Sequence, residues 1–283
     1  MTNSTPLPSF IIAGAAKSAT TWLQQSLQQS RTIFMPDHEP HFFARNYQRG
    51  MEYYHAEFAE APKDALRGEK SNSYLTMPAA AARIHRHIPE VRLIFQLRDP
   101  VARAYSDYAM LFRRGEVDDN IRRHLDPDRA ANERFLNDGL YAEHLQRFYD
   151  LFSREQILVL RYEDISRDAV GQLDSMRQHL KLSEQFAPPI SERVKDAKAK
   201  AVPRPMRRIL TPLRPVLDPI RHTSAISRVR DLVAKPQYYP SFDPVLKAEL
   251  ADFYRPQIET LRILTGVDFQ GWISAGSKRT ESE

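Results

Sequence analysis

The passage from Ser9 to Gln29 restricts the fold more than any other part of the chain. Ser9-Phe10-Ile11-Ile12-Ala13-Gly14 is a short apolar run closed by a turn residue, the pattern of a strand buried on both faces. Thr20 to Gln29 follows as a helix, with Trp22, Leu23 and Leu27 on one face. A buried strand that leads straight to a helix N-terminus is half of a βαβ unit, and the pattern recurs. Val91 to Leu97 and Gln156 to Arg161 are further buried strands. Helices are expected over Pro78 to Ile88, from Pro100 onward, over Leu140 to Phe152, and from Pro244 to the stop at Gly266. Asp99 and Asp243 are placed as N-caps. Alternating apolar strands and helices predict an α/β fold, a mostly parallel central sheet flanked by helices.

The loop in that first unit, Gly14-Ala15-Ala16-Lys17-Ser18-Ala19-Thr20-Thr21, suits an anion. A helix N-terminus presents unpaired N–H groups and a partial positive charge. Lys17 adds a full charge, and Ser18, Thr20 and Thr21 add hydroxyl donors. Taken alone, the loop is equally well a capped helix with a surface lysine. A Walker A loop needs Gly-Lys directly before Ser or Thr, and Ala16 precedes Lys17 here, which disfavours an ATP or GTP site. A second anion site is predicted where Arg98 ends a strand and Ser106 follows about two helical turns later on a similar face. Read in isolation, Arg98 pairs with Asp99 and Ser106 faces solvent.

Charge is unevenly placed. The chain of 283 residues carries a net +5, yet Ala187 to Pro236 holds 12 Lys and Arg against 4 Asp and Glu. The remainder is therefore net negative, and the basic character belongs to one Pro-rich segment, an insertion or flap. That segment has no interleaved aromatics, which makes single-stranded nucleic acid a poor partner for it. Glu116 to Asp138 is so highly charged that a loop is expected. With no cysteine, thiolate metal sites and disulfides are excluded. No His or Asp cluster has metal-ligand spacing. The N-terminal MTNSTPLPSF lacks a basic n-region and an apolar h-region, so neither a secretory leader nor a membrane span is expected, and a cytoplasmic location is.

Three blocks, in order, resemble the PAPS-dependent sulfotransferase family (PAPS is 3′-phosphoadenosine 5′-phosphosulfate), nearest the heparan sulfate sulfotransferase branch and its bacterial relatives. Gly14 to Trp22 resembles the 5′-phosphosulfate loop. Leu93 to Tyr108, with Arg98-Asp99-Pro100 and Ser106, resembles the 3′-phosphate motif. Gly68-Glu69-Lys70-Ser71-Asn72-Ser73-Tyr74-Leu75 resembles a Glu-Lys-Ser/Thr block. Further similarity lies at Glu39-Pro40-His41-Phe42-Phe43, at Tyr162-Glu163-Asp164 and from Lys235 to Trp272.

The resemblance implies a single domain over 1–283 with the P-loop nucleotide-kinase-like sulfotransferase fold and the basic insertion at about 187–236. It implies transfer of a sulfuryl group from PAPS, leaving adenosine 3′,5′-bisphosphate, with no metal. Lys17 would contact the bridging and sulfate oxygens; Ser18, Ala19, Thr20, Thr21 and Trp22 would hold the 5′ end; Arg98 and Ser106 would hold the 3′-phosphate. Glu69 would be the base. Lys235 would be a second cation, with Gln237, Tyr238 and Tyr239 beside the donor, and His41 and Lys70 near the acceptor. The acceptor would be a hydroxyl or amine on a carbohydrate or a small natural product. Ala19 departs from the family's usual glycine, and Pro236 and Gln237 replace its Gly-Arg. The rival classes are a P-loop kinase or nucleotide hydrolase and a nucleic-acid-binding protein.

Overall fold

The computed structural model describes residues 7–188 and 239–273. Five parallel strands form one sheet: β1 (Phe10–Gly14), β2 (Ile33–Phe34), β3 (Leu66–Lys70), β4 (Arg92–Leu97) and β5 (Ile157–Arg161), in the order β2-β3-β1-β4-β5. This is the predicted α/β architecture. β1 lies at the centre and every one of its residues is buried. The chain runs from β1 to one side of it for β2 and β3, then crosses to the other side for β4 and β5. The β1–β4 junction is therefore a topological switch point, where the carboxyl ends of an open α/β sheet leave a crevice.

Both faces are covered, which is why these strands read as continuous apolar runs. One face buries Phe10, Ile12, Ile94 and Leu160 beneath α1 (Thr20–Leu27) and a later helix over Ala169–His179. The other buries Ile11, Leu93, Phe95 and Leu97. Against that side pack α3 (Ala80–His87), α4 (Pro100–Arg114), a helix over Tyr141–Tyr149 and a long one over Pro244–Thr265. α2 (Gly50–Ala56) closes the β3 end.

The predicted caps are in place. Asp99 accepts from the Val101 N–H at 3.0 Å and Pro100 opens α4, while Asp243 and Pro244 do the same for the long helix. Gly115 and Gly266 end these two helices with φ of 78° and 73°, backbone that glycine adopts without strain.

Two features differ from the sequence reading. β3, Leu-Arg-Gly-Glu-Lys, has no apolar run, yet four of its five residues are buried. Arg67 donates to the nearby carbonyls of Ala65 and Pro62 at 3.1 and 3.0 Å, while Glu69 and Lys70 bind Tyr54 and Glu39 from other elements. The stretch Glu116 to Asp138 is not a loop. It forms three short helices, α5 (Ile121–Leu125), α6 (Pro127–Ala130) and α7 (Arg134–Asn137), the first two capped by Asn120 and Asp126. Leu125, Ala130, Phe135 and Leu136 enter the core, so the charges are the outer faces of these helices rather than a sign of missing structure. In chain order the helices that follow are α8 (Tyr141–Tyr149), α9 (Ala169–His179), α10 (Pro244–Thr265) and α11 (Gln270–Ile273). From residue 189 to 236 the basic segment lies outside the described residues. Among the described residues no helix is long and apolar enough to cross a membrane.

Two predictions follow from backbone geometry. A Cβ on Gly68 would stand 2.0 Å from Phe10 Cζ, so Gly68→Ala should cost about 1–3 kcal/mol and lower the urea midpoint without changing the slope. Ala19 occupies the left-handed region at φ 59°, ψ 29°. Ala19→Gly should relieve that strain and raise stability by about 1 kcal/mol, read from the same denaturation curve.

Candidate active site

The loop between β1 and α1 is the first predicted anion site. Lys17 and Ala19 both have positive φ, 71° and 59°, which folds the chain back over the end of the sheet. Ala19 supplies no side-chain cap to α1, although its carbonyl accepts from the Trp22 N–H at 2.9 Å. Ser18 is fully buried and its Oγ has no hydrogen-bond partner among the described residues. A buried hydroxyl left without a partner costs free energy unless a ligand completes it. Arg98 Nη1 donates to the Lys17 carbonyl at 3.3 Å, which ties the end of β4 to the loop at the switch point. The Lys17 ammonium reaches across to the Met110 thioether, 3.4 Å away on α4.

Lys17, Arg98 and Ser106 line one cleft of about 900 Å³. The structure thus brings both predicted anion sites to the same cavity. Arg98 is held from two sides: its guanidinium lies 4.5 Å over the Tyr162 ring, and its carbonyl accepts from the Tyr141 hydroxyl at 2.9 Å. Its Nε has no partner among the described residues. The opposite wall is aromatic. Tyr105 stacks on Phe242 at 4.7 Å and donates to the Pro240 carbonyl at 2.9 Å, which lays the segment before α10 across α4. Tyr239, Trp272, Arg113, Arg114 and Lys247 also line the cleft. The half-buried Trp22 packs instead against the apolar cluster under α1. Lys235, Gln237 and Tyr238 lie outside the described residues.

A second polar cluster touches the anion loop from the β3 side. Glu39 accepts from the Asn72 N–H at 3.0 Å and from Asn72 Nδ2 at 3.1 Å. Lys70 Nζ stands 3.1 Å from the same carboxylate. Lys70 also donates to Thr21 Oγ1 at 3.2 Å, and Thr20 Oγ1 donates to Asn72 Oδ1 at 2.7 Å. His41 Nε2 lies 3.6 Å from Glu39, and His41 Nδ1 lies 2.7 Å from Ser73 Oγ. Desolvation lowers the His41 pKa below its ordinary value, with Glu39 opposing the shift. The Glu39 side chain remains 25% exposed. His41 and Lys70 are therefore together, as the sequence suggested, but around Glu39.

Glu69 is elsewhere, and this corrects its predicted role. It has no exposed surface. Its Oε1 accepts from the hydroxyls of Tyr54 and Tyr74 at 2.7 and 2.8 Å, and its Oε2 from Ser71 at 2.7 Å. Burial pushes its pKa up to about 7 against the pull of those hydrogen bonds. A carboxylate enclosed by three hydroxyls cannot reach an acceptor in the cleft. Successive residues of a strand point to opposite faces, so Lys70 at the anion loop puts Glu69 on the other side. Reading β3 as a strand would have separated the two. The Glu39-Pro40-His41 block was visible in sequence, but only the fold gives Glu39 its neighbours.

Among the described residues no cluster of His, Asp or Glu could hold a metal ion. The chain is 29% identical to the human heparan sulfate glucosamine 3-O-sulfotransferase 6, over 94% of this chain and 73% of that one. It is 27% identical to the human heparan sulfate glucosamine 3-O-sulfotransferase 3A1, over 95% of this chain and 63% of that one. The chain thus spans about two thirds of the length of these relatives. The crystal structure of a sulfotransferase from Alicyclobacillus acidocaldarius superimposes with a TM-score of 0.70 at 25% identity, over 94% of this chain and 99% of the other. Residues 7–206 match the sulfotransferase domain, and with most of its length inside that match the chain belongs to the sulfotransferase family.

Proposed function

We propose that the protein transfers a sulfuryl group from PAPS to a hydroxyl of an anionic carbohydrate, with Glu39 as the base. The observation that carries this reading is the direct junction between the anion loop and an open carboxylate. Thr20 bonds Asn72 and Thr21 bonds Lys70, and both partners also bind Glu39. A group held on the loop and a hydroxyl beside Glu39 are thereby neighbours.

The residues present suit the donor. The buried Ser18 hydroxyl offers an unspent donor, and the α1 N-terminus, which has no side-chain cap, offers its partial positive charge to a 5′-phosphosulfate, while Arg98 with Ser106 offers a fork and a hydroxyl to a 3′-phosphate. PAPS, when bound, supplies the activated sulfuryl group and departs as adenosine 3′,5′-bisphosphate. Glu39 takes the proton of the attacking hydroxyl. Lys17 and the α1 N–H groups stabilise the negative charge gathering on the departing phosphate oxygen. Lys70 fixes the Glu39 carboxylate, and His41, held by Ser73, orients the acceptor. Lys235, from the segment beyond the described residues, is assigned as a further cation at the donor.

The acceptor class rests on charge. Arg113, Arg114 and Lys247 line the same cleft as Lys17 and Arg98, more cationic groups than the two donor anion sites require. A carboxylated or sulfated sugar matches that excess, and both human relatives are named for heparan sulfate.

Two measurements test the proposal. Calorimetry in EDTA should find adenosine 3′,5′-bisphosphate bound at least tenfold more tightly than ADP. Arg98→Ala should remove about 1.5–3 kcal/mol of that binding and leave ADP unaffected. Equal binding of the two nucleotides would remove the 3′-phosphate site. With PAPS and heparan sulfate oligosaccharides as the acceptor pool, Glu39→Gln should lower kcat by about 10²–10⁴ while bisphosphate affinity stays within twofold. Full activity in that variant would end the assignment of the base.

A further inference from the structure

Glu69 is a buried ionisable group that the transfer reaction does not use, and its surroundings give it a different task. Two of the three hydroxyls on its carboxylate also hold backbone. Ser71 Oγ accepts from the His41 N–H at 2.9 Å, and the Tyr74 hydroxyl accepts from the Phe43 N–H at 3.3 Å. Two relays result: His41 N–H to Ser71 to Glu69 Oε2, and Phe43 N–H to Tyr74 to Glu69 Oε1. We propose that Glu69 is a positioning residue whose carboxylate, acting through Ser71 and Tyr74, holds the His41–Phe43 turn and so sets Glu39 against the anion loop. The inference rests on the assignment of Glu39 as base.

The hydrogen-bond inventory explains why a carboxylate suits this place. A hydroxyl has one proton and two lone pairs, and an ionised carboxylate only accepts. With every hydroxyl proton directed at Glu69, the lone pairs of Ser71 and Tyr74 all face outward and can take backbone N–H groups. Such one-directional chains strengthen each link. The turn needs an external hold, because His41 is a non-glycine residue at φ 49°, a conformation that is strained in isolation. The hold reaches the catalytic cluster through adjacent residues. Ser71 secures His41, Asn72 secures Glu39, and the Ser71 N–H is bonded to the Ile12 carbonyl of β1 at 3.0 Å. Tyr54 from α2 completes the enclosure, and Glu57 just beyond α2 is a further charge acting weakly on Glu69.

Each relay can be cut separately. Glu69→Gln keeps the oxygen that receives Tyr54 and Tyr74 but replaces the one that receives Ser71. Tyr74→Phe cuts only the branch to Phe43. Amide hydrogen exchange, resolved by NMR with adenosine 3′,5′-bisphosphate bound, should then be residue-specific. In Glu69→Gln the His41 amide should exchange at least tenfold faster and Phe43 within twofold of wild type; in Tyr74→Phe the pattern should reverse. Both variants should keep bisphosphate affinity within twofold and the KM for PAPS unchanged, while kcat for transfer falls at least fivefold. Unchanged exchange at both amides, faster exchange throughout the chain, or an unchanged kcat in both variants would overturn the proposal. Full activity in Glu39→Gln with the exchange pattern intact would instead remove the base assignment and leave Glu69 as the brace of the turn.

Discussion

β1 has no exposed residue, and it is bonded in parallel to β3 on one edge and β4 on the other. The remaining architecture follows from that constraint. Parallel strands release their chains at the same end of the sheet, so the loops after β1, β3 and β4 must share one crevice. The loop after β1 brings Lys17 and Ser18, the end of β3 brings Lys70 and Asn72, and the end of β4 brings Arg98. These residues are 26 or more positions apart in sequence where they belong to different strands, and the backbone pairing of the strands brings them together. Contacts such as Arg98 to Lys17, Lys70 to Thr21 and Thr20 to Asn72 join loops that the sheet has already brought together.

Two carboxylates near this crevice illustrate how environment decides a role. Glu69 is enclosed by hydroxyls and its proton affinity is raised by burial. Glu39 keeps part of its side chain exposed among a lysine, an amide and a histidine. Both are one or two residues from a cation or an imidazole in the sequence, and both lie in blocks with family resemblance. Position in a motif did not distinguish them. Exposure does, because proton transfer needs contact with the reacting group, and Glu69 has no exposed surface.

The strands and helices that were legible in sequence are those that obey a local rule. β1, β4 and β5 are apolar runs because they are covered on both faces, and α4 and α10 carry their own caps. What escaped is stabilised at a distance. β3 is polar because Glu69 is satisfied by Tyr54 and Lys70 by Glu39, partners that the chain supplies only after folding. α5, α6 and α7 are too short to show a helical period, and each is held by one or two residues inserted beneath α4 and α10. The β1–α1 loop was readable for the same reason as β1: a strand, a loop and a helix N-terminus are contiguous. The Glu39 cluster was not, since Glu39 and His41, which follow β2, meet Lys70 and Asn72 through the β2–β3 pairing, and β3 reaches the β1–α1 loop through its pairing with β1.

That pairing has a strict register. Phe10 lies opposite Gly68, Ile11 opposite Glu69 and Ile12 opposite Lys70. A shift of one residue would exchange the faces of every side chain on β3, sending Lys70 into the Tyr54–Tyr74 enclosure and Glu69 toward Thr21. Gly68 guards against this. The Phe10 ring occupies the space a Cβ would fill at that position, and the adjacent residues Arg67 and Glu69 both carry one. Only the observed register leaves room for the ring. A glycine with no chemistry of its own therefore keeps the lysine at the anion loop and the carboxylate in the core, and the division of labour between Glu39 and Glu69 depends on it.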